Sequence, residues 1–128
     1  MEIPADRRYT RDHEWLRVFD NEGVIGITEY AQDELGDVVF VQLPGAGGKI
    51  SAGAAFGEIE SVKTVSELFA PASGEVIDVN TQLGEHPELV NESPYADGWM
   101  LRIRLDDPAQ AAALLDAEAY RATLPPGS

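Results

Sequence analysis

Cysteine is absent from the sequence, which removes disulfides, thiolate catalysis and cysteine-ligated zinc from the chemistry the polypeptide itself can supply. Histidine is nearly absent. His13 and His86 are the only two and lie far apart along the chain, so no metal site is expected from them. Positive charge is scarce too: nine lysines and arginines stand against 23 acids, for a formal net charge of −14. Such a field repels phosphate backbones and anionic lipid, so neither nucleic-acid nor membrane-surface binding is expected, and partners with basic patches are favoured. No apolar run reaches the roughly 20 residues of a membrane span. The opening "MEIPADRRYT" has no apolar signal-peptide core. A bacterial cytoplasmic location is the expectation, and a mature mitochondrial matrix protein would read the same way. Catalytic signatures are missing as well. There is no Ser-His-Asp set, and "GAGG" at 45–48 lacks the strand–turn–helix context of a nucleotide site.

What is present suits one domain. A chain of 128 residues that is 44% apolar can bury a core but leaves little room for a second one. The expected domain spans 1–128, with a core over 9–124 and flexible ends at 1–8 and 125–128. "HEWLRVF" and "GVIGI" are β-prone runs separated by "DNEG", a hairpin signal. "TEYAQDELGD" reads as a short helix near 28–35, capped by Thr28 and stopped by Gly36. "DVVFVQL", "AAFGEIES", "VSELFA", "GEVIDVN" and "GWMLRIRL" follow as short strands punctuated by glycine and proline. Strands this short at this spacing suggest a mainly β barrel or sandwich. Asp107-Pro108 opens helical sequence near 108–124, with Gln110 placed for a capping box and Leu114, Leu115 and Tyr120 supplying an apolar stripe.

Only two lysines occur, Lys49 and Lys63. Lys63 falls in "GEIESVKTVSELFAP", between two strand-like runs whose apolar residues are Ile59, Val62, Val65 and Leu68. That places it at a hairpin tip with its ammonium projected outward. A lysine accepts an acyl group only when neutral, so the scaffold's task would be to present it to a modifying enzyme. As a bare charge it could equally be a contact residue of an unmodified binding module.

Taken in order, "HEW" at 13–15, "GITEYAQDELGDVVFVQLP", "FGEIESVKTVSELFAPASGEVIDVN", "ESPYADGW" and "LLDAEAY" resemble the H protein family of the glycine cleavage system, from Tyr9 to about Leu124. The resemblance implies a lipoyl-type flattened barrel-sandwich hybrid and a carrier in place of an enzyme. It implies lipoate in amide linkage on Lys63, with Glu60 and Gly74 recognised during lipoylation. It also implies a cavity for the loaded arm near Glu14 and Glu67. The implied partners are a pyridoxal-phosphate glycine decarboxylase (P protein), a tetrahydrofolate-dependent aminomethyltransferase (T protein), dihydrolipoamide dehydrogenase (L protein) and lipoyl-transferring enzymes. The carrier is expected to act as a monomer. An arm of about ten bonds reaches on the order of 14 Å from the backbone, enough to enter a partner's pocket. A relay passing lipoate to other lipoyl-dependent complexes is the alternative within the carrier class. In both readings the redox sulfurs arrive with the cofactor, so the chain needs no cysteine.

Overall fold

Short β-prone runs broken by glycine, proline and aspartate fold, in the computed structural model, into nine strands arranged as two antiparallel sheets; residues 1–127 are described. The order is β1 (Arg8–Tyr9), β2 (Glu14–Phe19), β3 (Glu22–Ile27), α1 (Glu29–Leu35), β4 (Val38–Gln42), β5 (Lys49–Ile50), β6 (Ala55–Ser61), β7 (Val65–Phe69) and β8 (Gly74–Val79). A 3-10 turn (Thr81–Gly84), α2 (Leu89–Glu92), β9 (Leu101–Leu105), α3 (Ala109–Ala112) and α4 (Ala117–Thr123) complete it. The larger sheet has the order β1-β2-β3-β9-β8-β5 and the smaller β4-β6-β7. The mainly β fold expected from the strand pattern is found, as two sheets and, among the described residues, not as a closed barrel, in keeping with the barrel-sandwich hybrid that the resemblance implied.

The core lies between the layers. Leu16, Ile25, Ile103 and Val76 of the larger sheet, with Val41, Ile59 and Leu68 of the smaller, are all buried in one cluster. Strand alternation explains the choice, since successive side chains point to opposite faces. A second cluster, built from Ile3, Tyr9, Trp15 and Tyr120, sits apart from the first. Ile3 is therefore packed, although it belongs to the terminal segment read as flexible. Ser128, part of the other such segment, lies outside the described residues.

Helix α1 forms where expected. The Thr28 hydroxyl accepts from the Ala31 N–H, and the Gly36 N–H donates to the Gln32 carbonyl. Thr28 is fully buried because its hydroxyl also meets the Tyr120 hydroxyl at 2.7 Å. The C-terminal helical segment is interrupted. Leu115 exchanges two backbone hydrogen bonds with Tyr9, at 2.8 and 3.0 Å, and that bridge to β1 breaks the helix into α3 and α4. Asp116 then caps α4 by accepting from Ala119 N–H. Gln110 does not close a capping box; its Oε1 accepts from the Ser73 N–H at 2.8 Å, tying α3 to the start of β8. Among the described residues, no helix is long and apolar enough to cross a membrane.

Candidate functional site

Lys63 occupies the tip of the β6–β7 hairpin, as its flanking strands suggested. The turn is held by its neighbours and leaves the lysine free. Ser61 N–H donates to the Thr64 carbonyl at 2.8 Å. The Lys63 and Thr64 N–H groups both donate to Ser61 Oγ at 3.2 Å. Val62 N–H reaches across to the Asp37 carbonyl at 3.0 Å, fastening the tip to the start of β4. Ser61 is buried while Val62 and Val65 are 69% and 57% exposed, so the turn's polar anchor faces inward and its apolar side chains face solvent. Lys63 is exposed and its ammonium makes no ion pair among the described residues. Its stem lies against Gly36, where a β-carbon would sit 3.5 Å from Lys63 Cε.

A cleft of about 390 Å³ begins beside this turn, with Thr64 on its wall. Glu14 and Glu67, far apart in sequence, both line it, as do His13, Tyr30, Ile59 and Leu68. Glu14 lies deep, at 2% exposure. Its Oε1 accepts from the Thr10 hydroxyl at 2.7 Å and its Oε2 from the Phe69 N–H at 3.3 Å. Burial outweighs those bonds and pushes the carboxyl up to about 7. Glu14 is therefore poised to change charge near neutrality. Glu67, by contrast, is exposed at the rim. His13 adopts a left-handed backbone with φ of 72°. Its Nδ1 lies 2.8 Å from the Tyr120 hydroxyl, and burial holds it below the usual imidazole range. It packs locally and also lines the cleft.

Glu60 and Gly74 are not brought together. Glu60 is exposed on β6, between Phe40 of β4 and Val65 of β7, close to the lysine. Gly74 begins β8 in the other sheet, beyond the end of β7 that lies away from the tip. Glycine is needed there because a β-carbon would sit 2.3 Å from the Arg104 carbonyl oxygen of β9. The expectation from the sequence is a turn position where a β-carbon would clash or φ would be positive; the clash is found, against the paired strand β9, at the first residue of β8. Asn91 was missed by sequence reasoning. Its Oδ1 accepts from Val38 N–H at 2.8 Å and its Nδ2 donates to the Gly36 carbonyl at 2.8 Å. It thus braces the α1–β4 junction on which the hairpin tip rests. Thr10, which holds Glu14, was missed too. Asn91 bonds residues 53 and 55 positions away, which no local pattern announces, whereas Thr10 lies only four residues before Glu14 and meets it through the turn between them.

The family model described as Glycine cleavage H-protein matches residues 7–126. Among curated relatives, the glycine cleavage system H protein of Symbiobacterium thermophilum is 54% identical over 120 residues, covering 94% of each chain. That of Anaeromyxobacter sp. strain K is 55% identical over 122 residues, covering 95% of each. The crystal structure of a glycine cleavage system H protein from Mycobacterium marinum superposes with a TM-score of 0.87 at 43% identity, covering 94% of this chain and 97% of the other.

Proposed function

The chain belongs to the glycine cleavage H-protein family, whose members are carriers and not enzymes, and from that premise we propose that Lys63 is its point of lipoate attachment. One observation supports this above the others: the hairpin turn fixes the Lys63 backbone through Ser61 and leaves the side chain unpaired beside a cleft with a buried carboxyl at depth. The residues suit such a group. Ile59 and Leu68 offer apolar wall, Thr64 stands at the mouth, and Glu14 and Glu67 supply negative charge. When bound, lipoate contributes a disulfide able to take a one-carbon amine cargo on sulfur, the sulfur chemistry this cysteine-free chain lacks.

The remaining work falls to the scaffold. Glu60, exposed beside the tip, is the charge a lipoyl-transferring enzyme reads. Gly74 acts at one remove, by letting β8 and β9 approach and so setting the sheet that supports the hairpin. Glu14, once ionised, holds a cationic amine through a charge-assisted contact in a cleft partly shielded from water. Glu67 adds attraction at the rim. The glycine decarboxylase loads the carrier, the aminomethyltransferase unloads it, and dihydrolipoamide dehydrogenase restores the oxidised form.

Intact mass after incubation with lipoate and a lipoyl-transferring enzyme tests the assignment. Wild type and Lys49→Arg should each gain one lipoyl group. Lys63→Arg should gain none while its thermal midpoint stays unchanged, because an exposed turn side chain contributes little to stability. Lipoyl mass on Lys49 or on the Lys63→Arg chain would overturn it. Glycine–bicarbonate exchange with the decarboxylase then separates a glycine-cleavage shuttle from a lipoate relay.

A further inference from the structure

A second cleft opens on the face of the larger sheet that points away from the hairpin sheet. Period-two alternation sends Trp15, Arg17 and Phe19 to the same side of β2. Strand register then lines up Arg17 with Val24, Val24 with Arg102, and Arg102 with Asp78, a single row across four strands. Arg17 and Arg102 are two strands apart, roughly 10 Å at ordinary spacing, with only Val24 between them. Tyr95 and Trp99 rise at one side and Phe19 at the other, enclosing about 320 Å³. That is the lower end of the range for small-molecule sites.

The floor is built with care. The Trp15 indole lies over Gly26, where a β-carbon would be 2.5 Å from its ring. Its N–H donates to the Ile27 and Pro94 carbonyls at 3.0 and 3.1 Å. The Arg7 guanidinium stacks on it at 4.6 Å and on the Tyr95 ring at 5.4 Å, with only 7% of the Arg7 side chain exposed.

Arginine is concentrated here. Three of the chain's seven arginines line this cleft with Asp78, and Asp6 and Glu22 pair with them from its edge, a local balance of charge in a protein of net charge −14. Asp6, outside the cleft's lining, lies 2.8 Å from Arg7 and 3.5 Å from Arg17. The Arg17–Asp6 and Arg102–Glu22 pairs are both at 3.5 Å, with the arginines 49% and 46% exposed. Contacts so long and so wet are weak and readily exchanged. Two arginine forks able to turn toward one point, beside aromatic faces, select a carboxylate attached to a flat ring. We propose that this cleft is a binding site for a small aryl carboxylate, its ring against Trp99 and its carboxylate above Val24 between Arg17 and Arg102, with Phe19 backing the Arg17 guanidinium at 5.4 Å.

The chain has two tryptophans, Trp15 and Trp99, and both line the cleft, so their indole N–H signals in a nitrogen–proton NMR spectrum report occupancy without ambiguity. Benzoate should shift both signals saturably at millimolar concentration and at low salt. Benzamide, flat but uncharged, and cyclohexanecarboxylate, charged but not flat, should each bind at least fivefold more weakly. The Arg17→Gln/Arg102→Gln double variant should keep its thermal midpoint and lose benzoate affinity at least tenfold. Lipoylation of Lys63 should proceed equally with benzoate present. Non-saturating shifts, equal binding of the three probes, or undiminished binding by the double variant would overturn the proposal. So would tighter binding of the peptide acetyl-Asp-Phe-Asp-amide than of benzoate, which would assign the cleft to a segment of a partner protein.

Discussion

Glu14 and Trp15 are neighbours in sequence and serve opposite sides of one sheet. Glu14 faces the cleft beside Lys63, where the remaining charged groups, Asp12, Glu34 and Glu67, are acids. Trp15 faces the other cleft, where Arg7, Arg17 and Arg102 gather around aromatic rings. The sheet between them is one backbone thick, yet one side gathers carboxylates and the other arginines. Alternation along β2 is enough to do this, because each strand residue commits its side chain to one face only. An acidic chain can thus gather arginines on one face of a sheet and carboxylates on the other.

The sharpest way to break that division is to disturb one face alone. Gly26→Val would put side-chain atoms where the buried Trp15 ring now lies, since even a β-carbon would be 2.5 Å away. Trp15 is 1% exposed and has nowhere to retreat. Overpacking of this kind costs about 1–3 kcal/mol and here should reach the upper part of that range. Denaturant unfolding should show the loss, and the indole signals of Trp15 and Trp99 should move. The Lys63 hairpin belongs to the other sheet, so the folded fraction should still accept lipoate at the wild-type rate.

Much of the lysine face was legible in the sequence, and little of the arginine face. The hairpin around Lys63, helix α1 with its Thr28 and Gly36 ends, and the β-rich layers follow from local patterns: alternation, turn residues and caps. Pairing Glu14 with Glu67 in one cleft rested on family resemblance, because nothing local joins residues of β2 and β7. The arginine cleft depends on register across β2, β3, β9 and β8. Register is a relation between distant strands, and alternation alone shows only that Arg102 and Arg104 share a face. The break between α3 and α4 has the same origin, since it comes from Leu115 pairing with Tyr9 and not from a helix-breaking residue.

Acidity tests the lysine face next. Burial raises Glu14 from an ordinary 4.5 to about 7, so between those values the folded chain keeps a proton that the unfolded chain has lost. Stability from this group is fully present below about pH 4.5 and declines as pH rises through about 7. At about 1.4 kcal/mol per unit of separation the decline is about 3.5 kcal/mol. Glu14→Gln removes that slope, and its other carboxylates are those of wild type. The difference in unfolding free energy between the two chains should therefore shift in the variant's favour from pH 5 to pH 8. Cargo behaves oppositely. An amine cation pairs with the ionised carboxyl, so the loaded carrier should release its amine more slowly at pH 8 than at pH 6. In the Glu14→Gln chain release should be faster and nearly independent of pH over that interval. A parallel pH course in both chains would remove Glu14 from the holding of cargo.

The smallest effect belongs to Glu67, and its two consequences should differ in sign. Glu67 of β7 stands directly opposite Glu58 of β6, and both are exposed. Like charges directly across a strand pair repel, by a few tenths of a kcal/mol to about 1 kcal/mol. Glu67→Gln should therefore stabilise the fold slightly, by about 0.5 kcal/mol at low salt. The gain should fade in 1 M salt, where the screening length shrinks to about 3 Å. The same substitution takes one negative charge from the rim of the cleft, so amine release should quicken. Because this carboxylate is hydrated, the change should be no more than about threefold, well short of that expected for Glu14→Gln. Fold stability and cargo retention then move in opposite directions from a single substitution, which a general loosening of the hairpin cannot reproduce. If Glu67→Gln lowers both together, its carboxylate supports the hairpin's structure, and the cation-holding face narrows to Glu14 alone.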